Sequence, residues 1–131
     1  MNLEYIGEGV RDGPVILLYG NDPDTVRAIC EVFHSLAKGI QSSFALHEFP
    51  GIKAINNCRL LAVVGSSDKG ISRAQSNEAF RWVLSPSGWD NVAGLAEPFS
   101  ERENQIPRGV RFQWLSDTGE ISLIISTERR W

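Results

Sequence analysis

Polar side chains that could hold a ligand gather first at Gly20-Asn21-Asp22-Pro23-Asp24, between an apolar run and a stretch of helical periodicity. The crevice where a strand feeds a helix is where open α/β sheets place their ligands. Asn21, Asp22 and Asp24 offer oxygen donors, and the two carboxylates suit a cation. Both acids also have a structural use. Asp22 ahead of Pro23 reads as a helix start, and Asp24 carries a charge favoured at the positive end of that helix. His47 stands beside Glu48 on a stretch read as a strand, and with that glutamate or a nearby serine it has the makings of an acid–base group. The alternative is a half-buried strand histidine with no chemistry. Asn21, Asp22, Asp24 and His47 form the candidate ligand-binding set.

Other chemistries find less support. Gly65-Ser66-Ser67-Asp68-Lys69-Gly70-Ile71-Ser72 has two glycines at phosphate-loop spacing, but Ile71 stands where the lysine belongs and Asp68 brings a negative charge into the anion site. A solvated loop is the better account. No Gly-x-Ser-x-Gly is present, and His34 and His47 lack metal-ligand spacing. Cys30 and Cys58 read as small buried hydrophobes. No catalytic residue, metal or cofactor is expected, and the inventory leans away from an enzyme.

The second candidate set is an interface. Four tryptophans are the most unusual feature of the composition. Trp82, Trp89 and Trp114 fall on apolar faces of their elements and are explained by burial. Trp131, after Glu128-Arg129-Arg130, either tucks over the sheet or stays exposed with Arg130, the composition of an interface hot spot. The polar segment from Glu97 to Gly109 carries Glu97, Glu101 and Glu103, which would attract a basic partner.

The elements that position these residues centre on residues 110–127. Val110, Phe112 and Trp114 alternate with Arg111 and Gln113, and Ile121, Leu123 and Ile125 alternate with Ser122 and Ser126. This predicts a β-hairpin turning at Asp117-Thr118-Gly119, with Gly119 supplying a positive φ. Placing the strongest apolar side chains on one face pairs Trp114 with Leu123 and Phe112 with Ile125, and leaves Leu115 and Ile124 on the other, a mark of cover by another element or of a binding surface. Upstream, Leu3–Ile6, Val15–Tyr19, Ser43–Phe49, Arg59–Val64 and Glu78–Leu84 read as strands. A helix is predicted from Pro23 to about Lys38, ended by Gly39, and another from Pro86 or Ser87 until Pro98. If Ser43–Phe49 lies parallel beside Val15–Tyr19, the first helix is a right-handed crossover. Gly65 to Asn77 reads as an exposed, mobile loop.

This order, β-β-α-β-β-β-α-β-β, predicts one α+β domain over residues 1–131: a mostly antiparallel sheet of about five to seven strands with two helices packed on it, closed by the hairpin. A chain of 131 residues with 42% hydrophobic and 22% charged residues can build one core without staples. Its net charge of −3 gives no general attraction to nucleic acid or anionic lipid. The apolar runs are far shorter than the roughly 18 residues of a membrane span. Met-Asn-Leu-Glu at the start is no leader, so a cytoplasmic location is expected. In size, charge and class the chain resembles small bacterial immunity and regulatory proteins that act by binding a partner, a likeness that fixes no residue. The expectation is a non-enzymatic protein-binding protein, with self-pairing through the free edge or outer face of the hairpin as a further possibility; the alternative is a small enzyme or ligand-binding domain using Asn21, Asp22 and His47.

Overall fold

The computed structural model describes residues 1–7, 12–74, 79–101 and 111–131. Among them are nine strands and two α-helices in an α+β fold. Helix α1 (Pro23–Ala37) starts as the sequence dictates: Asp22 Oδ1 accepts from Thr25 N at 3.2 Å and Pro23 occupies the first turn, where its missing N–H costs nothing. It buries Val26, Ile29, Cys30, Phe33 and Leu36, and the chain leaves it at Gly39 with φ +74°. Helix α2 (Pro86–Ala96) is capped by Ser85 Oγ, which accepts from Gly88 N, and buries Trp89, Val92, Ala93 and Ala96.

The strands divide between two mixed sheets. The first contains β1 (Asn2–Ile6), β2 (Val15–Tyr19), β4 (Lys53–Ala54), β8 (Phe112–Ser116) and β9 (Ser122–Ser126), in the order β4-β1-β2-β9-β8. The second contains β3 (Ser43–Ala45), β5 (Arg59–Val64), β6 (Gly70–Arg73) and β7 (Ala79–Leu84), in the order β3-β5-β7-β6. Pairs β2/β9, β5/β7 and β1/β4 are parallel and the rest antiparallel. One core joins the inner faces of both sheets to the helices, with the Phe33 ring stacked on Trp89 at 5.7 Å and Trp82 edge-on to Trp89 at 4.7 Å.

A second cluster lies on the other face of the five-stranded sheet. Val15, Leu17 and Ile124 are buried there under Ile6, Tyr19, Trp114 and Trp131. The C-terminal residues fold back to reach it. Trp131 Nε1 donates to Asp12 Oδ2 at 2.8 Å, and Arg129 grips the buried Glu4 carboxylate through two bonds of 3.0 and 2.6 Å. Arg130 pairs with Glu128 at 3.0 Å.

Several expectations need correction. The single, mostly antiparallel sheet is two mixed ones. Ser43–Phe49 is a three-residue strand followed by a 3-10 turn (Leu46–Glu48), and it pairs antiparallel with β5 in the other sheet, so α1 is not a crossover between adjacent parallel strands. The stretch read as a loop from Gly65 contains β6, which pairs with β7 along Gly70–Arg73.

The hairpin forms, but in another register. Trp114 faces Ile124, Phe112 faces Ser126, and a bulge between Trp114 and Ser116 brings Ser116 opposite Leu123. Leu115, Leu123 and Ile125 enter the main core, whereas Trp114 lies on the outer face and Phe112 is 45% exposed. This sheet has two apolar faces to cover, so its large side chains do not all share one. Gly119 has no positive φ; its backbone lies against Gly70 and Ile71 of β6, where a side chain would collide, and the joint is fixed by Ile121 N donating to Ile71 O at 3.3 Å. Val110 lies outside the described residues.

Candidate functional site

At the strand-to-helix turn, Asp22 is committed to structure. Oδ2 accepts from Thr25 Oγ1 at 2.6 Å and lies 4.0 Å from the N-terminal amine. The Thr25 hydroxyl, more than the amine, holds the Asp22 carboxyl below its ordinary value. Asp24 lies 3.5 Å from Arg27, and Asn21 is exposed. His47 sits on the 3-10 turn, where Nδ1 accepts from Leu60 N at 3.0 Å and Nε2 lies 3.9 Å from Glu48 Oε1. Asp22 and His47 thus engage different partners.

A different region has the shape of a site. Helix α2 runs along β8, the edge strand of the five-stranded sheet, and two concavities open along this seam. The larger, about 300 Å³, is lined by Leu95, Pro98, Phe99, Arg111, Phe112 and Gln113. Its wall is the 3-10 turn Glu97–Ser100 that continues α2, tied by Ser100 Oγ donating to Glu97 O at 2.6 Å and by Arg27 Nη2 reaching Ser100 O at 3.1 Å. The Arg111 guanidinium lies over the Phe99 ring at 5.9 Å. Glu97, which opens this turn, and Glu101, the residue after it, are exposed. Glu103 lies outside the described residues.

The smaller concavity, about 110 Å³, lies between the first half of α2 and the end of β8, and Asp68, Asn91, Ser116, Asp117 and Thr118 supply its polar lining. Asp68 is fixed there by Ser85 N and Ser85 Oγ, both donating to its Oδ1 at 2.8 Å. Gly88 permits this approach, since a side chain at that position would strike Asp68 Oδ1. Ser116 is only 8% exposed and its hydroxyl has no hydrogen-bond partner among the described residues. The seam therefore offers apolar and aromatic surface at one end and oxygen acceptors at the other.

The sequence reading included Glu97 and Glu101 but missed Phe112, Asp68 and Ser116. Leu115 and Ile124, set apart from the other apolar residues of the hairpin, signalled a second covered face, and Ile124 lies buried on it. Trp131 is half-buried against the outer cluster, and Arg130 is bonded to Glu128. Glu4, held by Arg129 and by Tyr19 OH at 2.9 Å, is kept below its ordinary value chiefly by the Arg129 bond. Burial, then Glu4, pushes the Tyr19 phenol up. Among the described residues no helix is long and apolar enough to cross a membrane. Comparison with known proteins returns no matching family model, no similar curated protein and no similar solved structure.

Proposed function

We propose that the chain is a non-enzymatic protein-binding module of the immunity or regulatory kind, and that it seats an extended segment of its partner along the seam between α2 and β8. The observation that carries this reading is Phe112, a large aromatic left 45% exposed on an edge strand beside an apolar groove. An edge strand offers backbone groups to an incoming strand, and exposed aromatic and arginine side chains supply anchoring energy. Glu97 and Glu101, exposed in sequence on either side of the groove-lining Pro98 and Phe99, would steer a partner of positive charge. The alternative site near Asn21, Asp22 and His47 draws less support, because both Asp22 oxygens accept from Thr25 and His47 Nδ1 accepts from Leu60 N.

The test is selection of displayed random peptides on the immobilised full chain, with Phe112→Ser as the counter-selected surface. Peptides that bind the parent and lose at least tenfold on the variant support the proposal. Enrichment indifferent to Phe112, or none, overturns it. Dimerisation lost in Phe112→Ser would instead make the occupant a second copy of the chain.

A further inference from the structure

We infer that the polar end of the seam is a subsite for the basic side chain of the bound segment, so that the partner presents an extended stretch with an apolar residue followed or preceded by lysine or arginine. The inference rests on the seam reading and adds to it the chemistry of the partner.

The two concavities share walls. On α2, Gly88 and Asn91 line the polar cavity and Leu95 lines the apolar groove, which places them at i, i+3 and i+7 on one helix face. On β8, Phe112 and Gln113 line the groove and Leu115 and Ser116 the cavity. Helical rise from Gly88 to Leu95 is about 10 Å, and strand rise from Phe112 to Ser116 is about 13 Å. An extended ligand spans that distance with about three or four residues. One peptide can occupy both ends.

The polar end selects a cation by its donor set. Asp68 and Asp117 bring carboxylates, Asn91 an amide, and Ser116 and Thr118 hydroxyls, against which the lining sets no basic side chain. Asp68 uses Oδ1 on the α2 cap, which leaves Oδ2 for a ligand. Ser116, on the same lining, adds an unpaired hydroxyl to these groups. It is more than nine-tenths buried without a partner among the described residues, a condition costly to a protein unless something else satisfies the group. A volume of about 110 Å³ matches an ammonium or guanidinium head and excludes a bulky ligand. Carboxylates and hydroxyls accept from such a head in several directions at once.

The experiment uses the full chain and the displayed random library, followed by fluorescence anisotropy of the enriched sequences as synthetic peptides. The expected consensus holds an apolar residue and, about three or four positions away, lysine or arginine. Replacing that basic residue by norleucine should weaken binding about tenfold, with the same loss on raising NaCl from 50 to 300 mM. Asp68→Asn, which keeps the Oδ1 acceptor for Ser85, and Asp117→Asn should each cost about threefold or more. Ser116→Ala should weaken binding without lowering the melting temperature, because it removes a buried hydroxyl that the free protein leaves unpaired. Peptides that need Phe112 but carry no basic residue at that spacing, or that bind Asp68→Asn and Asp117→Asn as tightly as the parent, overturn the inference and leave the groove reading standing. If no enriched peptide depends on Phe112, the groove reading falls and the inference with it.

Discussion

Replacing Gly119 by alanine would place a methyl carbon within 2.9 Å of Ile71 N, Ile71 O and Gly70 C. All three are backbone atoms of β6, so relief requires that strand to move away from the turn between β8 and β9. Moving it breaks the bond from Ile121 N to Ile71 O, which joins the two sheets at this corner. Overpacking of this kind costs about 1–3 kcal/mol, and the lost hydrogen bond adds about 1 kcal/mol. The expected destabilisation is therefore roughly 2–4 kcal/mol. Urea unfolding followed by the fluorescence of the buried Trp82 and Trp89 measures it. With a slope of about 1–3 kcal/mol per molar, the midpoint should fall by about 1 M or more. Gly119→Ala unfolding within about 0.5 kcal/mol of the parent would refute the close approach of the two sheets, because a positive φ is absent and no other cost remains.

Gly94 gives the opposite expectation: nothing lies within 4 Å of its missing side chain on α2, so Gly94→Ala should raise stability by about 0.5–1 kcal/mol in the same assay. Glu4 has a folded-state value below its ordinary 4.5, so its contribution is present above that pH and is lost as the pH falls through the folded value. Arg129→Met should cost about 1 kcal/mol at pH 7, discounted for an arginine more than half exposed, and should flatten the acid limb of the stability curve. An unchanged acid limb would show that the pair contributes nothing. Cys30 is pushed up to about 11, by burial first and then by Glu97 and Glu31, and Cys58 is also buried. A thiol reagent at pH 7.5 should therefore label neither cysteine in the native protein and both after urea, and rapid native labelling would contradict this packing.

How much could be read from the sequence followed from where its physics was local. Asp22-Pro23 and Ser85-Pro86 dictate helix starts through caps that act within four residues, and both helices begin there. Val15–Tyr19 announced a strand covered on both faces, and it lies in the middle of its sheet with Val15 to Leu18 buried. Strand partners were not legible, because nothing in the composition of Phe44 or Leu60 says which sheet they join. The hairpin register failed for a related reason: Trp131, Ile6 and Tyr19 cover the outer face from distant positions in the chain, and this non-local cover allows Trp114 to turn outward. The interface reading identified Glu97 and Glu101 by charge. Phe112, whose exposure depends on the bulge and on β8 being an edge, was assigned to the interior.

The most direct measurement is an amide chemical-shift map of the full chain titrated with a peptide selected on its surface. The account predicts perturbations along residues 88–99 and 112–118, with the largest at the Phe112 and Ser116 ends of β8. Perturbations confined to Asn21, Asp22, Asp24 and His47 would instead put the site at the strand-to-helix turn and contradict the seam.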